Sequence, residues 1–187
     1  MVVSEQPVVV SGASGFIALH IVEGLIKGGY KVKGTVRNVE SKSNDVIKKL
    51  DVDSDKLELV KANLLDDGAF DEIVKGSEYV MHVASPFSMD IKDPQKDLVE
   101  PAVKGTLSML EACLKSESVK RVILTSSMAA ITDSPDPKVT YTENDWNNQS
   151  SLKRNPYYFS KKLAEEAAWK FMEEKKPNFD LVVINPV

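Results

Sequence analysis

Near its start the chain reads Val8-Val9-Val10-Ser11-Gly12-Ala13-Ser14-Gly15-Phe16-Ile17-Ala18. The three valines predict a short buried strand that ends in a tight turn. From Phe16 to Lys27 apolar residues recur at helical spacing, and two glycines then predict the end of this helix. Small residues at 12, 15 and 18 let the turn approach a diphosphate, with the helix N-terminus facing its charge. The alternative is a glycine turn that only connects strand and helix.

We therefore expect a dinucleotide to bind at this turn. Five of its residues are the expected contacts, namely Gly12, Ser14, Gly15, Phe16 and Ile17.

Strand and helix patterns alternate along the rest of the chain. Further strands are predicted at 30–36, 57–60, 79–83, 121–125 and 179–184. Further helices are predicted at 45–50, 69–74, 94–115 and 156–175, the last with Asn155 as its N-cap. Near-continuous apolar strands that alternate with helices indicate a parallel sheet covered on both faces. The sequence thus predicts a doubly wound α/β fold, strand order 3-2-1-4-5-6, in one nucleotide-binding domain over residues 1–187.

Composition excludes several classes of protein and site. The 24 basic and 28 acidic side chains leave a net charge of −4, which gives no electrostatic case for nucleic acid or an anionic membrane as a partner. A single cysteine, Cys113, excludes an internal disulfide, and no metal-ligand spacing is found. The sequence predicts neither a bilayer-spanning helix nor a signal peptide. We expect a cytoplasmic protein without a metal, in which His82 is a core histidine.

The end of the second predicted strand bears on the choice of nucleotide. It reads Gly34-Thr35-Val36-Arg37-Asn38, without the carboxylate that usually binds the ribose hydroxyls of NAD. The guanidinium of Arg37 suits a 2′-phosphate, and Lys42 is a weaker candidate for the same group. The sequence therefore favours NADP(H) over NAD(H). The alternative is that Arg37 is a solvated surface residue.

Two tyrosine–lysine pairs lie at helical spacing near the C-terminal end. Tyr157 and Lys161 share one helix face, and so do Tyr158 and Lys162; periodicity alone does not choose between the pairs. An ammonium beside a tyrosine lowers the pKa of its hydroxyl, so that the pair can exchange a proton at a carbonyl group receiving hydride. Ser127 follows the fifth predicted strand, where its hydroxyl can bind the developing alkoxide.

Several segments taken together resemble the extended short-chain dehydrogenase/reductases. They are Gly12-Ala13-Ser14-Gly15-Phe16-Ile17, His82-Val83-Ala84-Ser85-Pro86, Leu124-Thr125-Ser126-Ser127, Tyr157-Tyr158-Phe159-Ser160-Lys161, Ala164-Glu165-Glu166-Ala167-Ala168-Trp169 and Asn185-Pro186-Val187. Within that family the chain is most similar to the dihydroflavonol reductase, cinnamoyl-CoA reductase and yeast-type aldehyde or methylglyoxal reductase branch. The resemblance covers essentially the whole chain.

The resemblance implies the register of the catalytic residues. The family's Tyr-x-x-Ser-Lys pattern aligns on Tyr157, Ser160 and Lys161. The family's catalytic serine falls on Ser127, with Ser126 as the alternative. Lys161 would also hold the nicotinamide ribose. The remaining implied cofactor contacts are Arg37, Asn63, Leu64, Val83, Ala84, Ser85, Tyr157 and Pro186.

The expected function is that of an NADPH-dependent reductase, acting on a small-molecule aldehyde or ketone through Ser127, Tyr157 and Lys161. One alternative is a nucleotide-sugar epimerase or dehydratase with bound NAD, and another is a dinucleotide-binding chain without turnover. The resemblance implies a C-terminal substrate lobe after the Asn-Pro-Val segment. We expect that lobe to be missing from this chain, and neither the substrate nor the oligomeric state follows from the sequence.

Overall fold

The computed structural model describes residues 5–40, 50–85 and 91–187. Its sheet has six strands: β1 (Val8–Val10), β2 (Val32–Val36), β3 (Leu57–Lys61), β4 (Tyr79–His82), β5 (Arg121–Thr125) and β6 (Asp180–Ile184). All neighbouring strands are parallel, in the order β3-β2-β1-β4-β5-β6. The predicted doubly wound fold and strand order are confirmed.

Helices cover both faces of this sheet. They are α1 (Phe16–Lys27), α2 (Glu100–Ser116) and α3 (Pro156–Lys175). Side chains alternate across β1, so that Val10 packs in an apolar cluster with α1, whereas Val9 packs in the cluster formed with α2 and α3. The predicted bounds of α1 and α3 agree with the structure. No helix among the described residues has the length and apolar character needed to cross a membrane.

The predicted helix at 69–74 is wrong, because the structure has consecutive turns there. Asp71 N–H donates to Gly68 O and Ile73 N–H donates to Phe70 O, which are three-residue steps, and Val74 N–H to Phe70 O is an isolated four-residue step. Gly68 and Gly76 have φ values of 67° and 75° and change the chain direction on either side. The turns still bury Phe70, which is 1% exposed. The apolar pattern of this segment therefore reflects burial and not a helix.

Other boundaries differ slightly. The predicted helix at 94–115 is π-helical over Gln95–Val99 before α2 begins. Pro101 lacks the N–H for an ordinary helical bond in this turn, and its ring crowds the carbonyl four residues back, which a wider turn relieves. The strands predicted at 30–36, 79–83 and 179–184 are shorter by one or two residues at one end. The predicted helix at 45–50 lies outside the described residues except for Leu50, and Lys42 lies outside them too.

The topology brings the carboxyl ends of the central strands to one edge. Ser11 N–H donates to Met81 O at 3.0 Å, which joins the ends of β1 and β4. Ser126 N–H donates to Ile184 O at 2.8 Å, which joins the ends of β5 and β6. Parallel sheets bind ligands at this edge, so the predicted site residues meet where such a fold places its site.

Candidate active site

The glycine turn adopts a conformation that requires glycine. Gly12 has a φ of 67°, and a Cβ on it would lie 3.1 Å from the Cβ of Ala84. Gly15 is the N-cap of α1, and its N–H donates to Gly12 O at 2.9 Å. The first turn of α1 has neither a side-chain cap nor an acidic residue. Its N–H groups and dipole are therefore available to an anionic group of a ligand.

The other predicted contacts of this turn lie beside it. Ser14 is partly exposed, and Phe16 and Ile17 begin α1 with 79% and 45% of their surface exposed. Exposed aromatic and aliphatic side chains at a helix N-terminus suit contact with a bound molecule better than they suit a core.

Ser11 is a site residue that sequence reasoning missed. Its Oγ accepts hydrogen bonds from Val83 N–H at 3.0 Å and Ala84 N–H at 2.9 Å, and it lies 2.9 Å from His82 Nδ1. Since the oxygen accepts both amide protons, its own proton goes to Nδ1, and His82 then carries its ring proton on Nε2. Burial, with the charge of Lys161, lowers the pKa of His82 to about 3, so this histidine is neutral.

Ser11 thereby fixes the segment after β4 against the glycine turn. Val83, Ala84 and Ser85 are all partly buried there. The available signal was a hydroxyl residue directly before Gly12, together with a histidine at the end of another predicted strand. Only the strand order shows that the two are neighbours.

Three further predicted contacts lie at the ends of β2 and β3. Arg37 directly follows β2 and is exposed. Asn63 follows β3, is exposed, and donates from Nδ2 to Asp66 Oδ1 at 2.9 Å. Leu64 packs against α2, since a Cβ on Gly105 would lie 3.1 Å from its Cδ2. The arrangement leaves the Arg37 guanidinium accessible to a phosphate.

The predicted catalytic side chains come from two elements. Ser127 follows β5, and its side chain is close enough to that of Tyr157 in α3 to lower the pKa of the Tyr157 hydroxyl. Lys161, one turn further along α3, is buried with 8% of its surface exposed. Lys162 instead contacts Glu166 at 3.5 Å and Asn148 at 3.3 Å. Of the two tyrosine–lysine pairs, the structure therefore places Ser127 beside the tyrosine of the Tyr157 and Lys161 pair.

The pKa of the Tyr157 hydroxyl differs from expectation. Burial and the neighbouring Tyr158 raise it, and the nearby side chain of Ser127 acts in the opposite direction. Desolvation of the phenol dominates, so the net shift is opposite in direction to the lowering of the pKa that the sequence predicted. Burial also lowers the pKa of Lys161 to about 8, against an opposing effect of Glu165. Lys161 is thus mainly protonated at neutral pH.

Glu165 is a second residue that sequence reasoning missed. It is buried, and its Oε2 accepts from Ser126 Oγ at 2.5 Å and from Asn185 Nδ2 at 2.8 Å. The same Asn185 Nδ2 lies 3.2 Å from Ser127 O. Pro186 O accepts from Met128 N–H at 2.9 Å, which places Pro186 beside the same segment.

The start of α3 is not capped as predicted. Asn155 occupies the N-cap position with a φ of 50°, but its side chain makes no capping bond. Its Nδ2 instead donates to Asp133, whose other oxygen accepts from Arg154 Nε at 2.6 Å. These bonds tie the loop after β5 to the turn of α3 that carries Tyr157.

Comparison with known proteins agrees with this architecture. Residues 9–175 match the model of the 3-beta hydroxysteroid dehydrogenase/isomerase family. A cinnamoyl-CoA reductase of Medicago truncatula is 48% identical over 96% of this chain and 56% of its own length. A putative NADPH-dependent methylglyoxal reductase of Candida albicans is 45% identical over 98% of this chain and 58% of its own length.

Solved structures agree as well. The yeast methylglyoxal/isovaleraldehyde reductase Gre2, crystallised with NADPH, superposes with a TM-score of 0.88 at 38% identity, over 97% of this chain and 58% of that one. The chain thus spans a little more than half the length of these relatives. The resemblance to the reductase branch is confirmed. With the family model matching most of its length, this chain belongs to the 3-beta hydroxysteroid dehydrogenase/isomerase family.

Proposed function

We propose that this chain belongs to an NADPH-dependent reductase that transfers hydride to the carbonyl carbon of a small aldehyde or ketone. The observation that carries the proposal is the juxtaposition of the side chains of Ser127 and Tyr157, which are close enough for Ser127 to lower the pKa of the Tyr157 hydroxyl. This pair lies at the carboxyl edge of the sheet, one helical turn from the buried Lys161.

The cofactor part of the proposal rests on the glycine turn and Arg37. The uncapped N-terminus of α1, free of acidic residues in its first turn, fits a diphosphate. The exposed Arg37 fits a 2′-phosphate. The yeast relative crystallised with NADPH supports the same choice. The proposed contacts are Gly12, Ser14, Gly15, Phe16, Ile17, Arg37, Asn63, Leu64, Val83, Ala84, Ser85, Tyr157, Lys161 and Pro186.

Bound NADPH would supply the hydride, and the chain's own residues would act on the carbonyl oxygen. Ser127 Oγ donates a hydrogen bond to that oxygen and polarises it. Tyr157 Oη transfers its proton to the oxygen as negative charge develops there, which yields the alcohol. The raised pKa of Tyr157 keeps this proton in place until it is needed. The ammonium of Lys161 then stabilises the phenolate that remains.

Turnover tests the catalytic part. We expect Tyr157→Phe to abolish the carbonyl-dependent oxidation of NADPH, followed by absorbance with a panel of aldehydes and ketones. Tyr158→Phe is the matched control, since it removes the adjacent hydroxyl and should retain activity. Turnover by Tyr157→Phe equal to that of the unmodified chain would contradict the proposed proton donor.

Calorimetry tests the cofactor part. We expect NADPH to bind more tightly than NADH, and Arg37→Gln to remove the difference while leaving NADH affinity unchanged. Lys31→Gln removes one positive charge at the opposite end of β2 and should have no effect. Tighter binding of NAD than of NADP would favour the epimerase or dehydratase alternative. NADPH binding without turnover on any carbonyl would favour a chain that only binds the dinucleotide.

A further inference from the structure

Glu165 is a buried carboxylate whose three neighbours all donate hydrogen bonds. Ser126 Oγ and Asn185 Nδ2 donate to Oε2 at 2.5 and 2.8 Å, and Trp169 Nε1 donates to Oε1 at 3.3 Å. Only 5% of the Glu165 surface is exposed. An ionised carboxylate only accepts hydrogen bonds, so it matches this set, whereas a glutamine would turn an N–H towards one of the donors.

These bonds join three elements at the catalytic edge of the sheet. Glu165 belongs to α3, Ser126 follows β5, and Asn185 follows β6. Asn185 Nδ2 also contacts the carbonyl oxygen of Ser127 at 3.2 Å. Glu165 therefore holds the backbone that carries the Ser127 hydroxyl against the helix that carries Tyr157.

The charge of Glu165 also acts on Lys161. The two residues are one helical turn apart and line the same small cavity, with a volume of ≈ 10 Å³. Burial lowers the pKa of Lys161, and the negative charge of Glu165 opposes that effect. Tyr157 lies one turn before Lys161 on the same helix, and the neutral His82 of β4 interacts with the charge of Lys161. Neither of them supplies a negative charge at neutral pH.

We propose that Glu165 is a positioning residue with two separable effects: its reach holds the segment 126–128 in place, and its charge keeps Lys161 protonated. The proposal rests on the proposed function for its relevance to turnover. Its two physical effects can be measured without turnover, so the failure of one proposal is distinguishable from the failure of the other.

The charge is tested by titrating Lys161 in the full chain labelled with 13C-lysine. The Cε resonance is assigned by its loss in Lys161→Met. Glu165→Gln keeps the size and one acceptor oxygen but removes the charge, and we expect it to lower the pKa of Lys161 by about one unit. Glu166→Gln removes the same charge from the adjacent residue, which contacts Lys162 instead, and should leave the titration unchanged. An unchanged Lys161 pKa in a folded Glu165→Gln chain would overturn the role of the charge.

The reach is tested by amide hydrogen exchange. Ser126 N–H and Met128 N–H bond to Ile184 O and Pro186 O, and so report whether this segment opens. Glu165→Asp keeps the charge but shortens the side chain, and we expect these amides to exchange about tenfold faster while Lys161 stays protonated. Exchange equal to that of the unmodified chain would overturn the positioning role. If Glu165→Gln does not fold, Glu165→Asp decides alone on this measurement.

Where turnover is observed, its pH profile gives a third readout. Loss of the Lys161 proton should end the reductase activity on the alkaline side. Glu165→Gln should therefore move the alkaline limb of kcat to lower pH, by the same shift as the Lys161 titration, and Glu166→Gln should not. A limb that stays in place although the pKa of Lys161 has moved would overturn the link between Glu165 and catalysis.

Discussion

A single methyl group on Gly12 should damage both the fold and the site. The φ of 67° at Gly12 lies in the left-handed region, which costs an L-residue ~1–2 kcal/mol. The added Cβ would also lie 3.1 Å from the Cβ and 3.2 Å from the Cα of Ala84. Ala84 is held by the 2.9 Å bond from its N–H to Ser11 Oγ, so it cannot retreat without loss of that bond. Overpacking of this kind costs ~1–3 kcal/mol.

The sum for Gly12→Ala is a loss of ~2–5 kcal/mol in the free energy of unfolding. Urea denaturation followed by circular dichroism measures it, with the midpoint and slope fitted separately. Gly24→Ala is the matched control, because Gly24 lies within α1 and a Cβ there meets no atom within 4 Å. That substitution should stabilise the chain by ~0.5–1 kcal/mol, since alanine favours a helix over glycine.

The two variants together test the geometry of the turn. A Gly12→Ala chain as stable as the unmodified one would refute the left-handed backbone and the close approach of Ala84. A loss of similar size in Gly24→Ala would show instead that an added methyl group is tolerated at neither glycine, so that the loss in Gly12→Ala would not be specific to the turn.

Three more outcomes follow from buried groups. Because the pKa of His82 is about 3 in the folded chain against an ordinary 6.5, unfolding takes up a proton at His82 below pH 6.5. His82 should therefore contribute a loss of stability of about 1.4 kcal/mol per pH unit from there towards pH 3, and the slope measured by urea titrations should be less steep in His82→Gln. Burial raises the pKa of the Cys113 thiol to about 12, so a chromogenic disulfide reagent at pH 8 should react with the urea-unfolded chain and not with the native one. A Cβ on Gly34 would lie 2.7 Å from the Cβ of Ala13, so Gly34→Ala should cost ~1–3 kcal/mol in urea denaturation, and adding Ala13→Gly should restore part of it.

Local signals explain what could be predicted from the sequence. Gly28-Gly29 ends α1 and Pro156 begins α3, and each boundary depends on residues beside it in the chain. The parallel sheet also follows from the pattern, since buried strands alternate with helices. At 69–74 the same apolar spacing serves either a helix or a set of turns that buries Phe70. The two left-handed glycines that decide between them can only be interpreted once the backbone is known.

The polar groups of the site show where a sequence is insufficient. Ser11 and His82 are separated by 71 residues, and Ser126 and Glu165 by 39. A serine before a glycine and a glutamate in a helix are ordinary residues in isolation. Their importance comes from donors on other elements, which only the folded chain brings within hydrogen-bond distance. The direction of the Tyr157 shift has the same origin, because the extent of burial of the phenol depends on tertiary packing.

Ser11 and Glu165 occupy equivalent places in this architecture. Each is a buried acceptor that satisfies donors from a neighbouring strand end, Ser11 across the gap between β1 and β4 and Glu165 across the end of β5 and β6. An unmade bond to such a group would leave a buried donor without a partner, at a cost of ~1–3 kcal/mol. The proposed nucleotide-binding and catalytic parts of this edge are therefore each held together by hydrogen bonds that form when the chain folds. It follows that Gly12→Ala, which displaces Ala84 from Ser11, should lower the free energy of unfolding even when no nucleotide is bound.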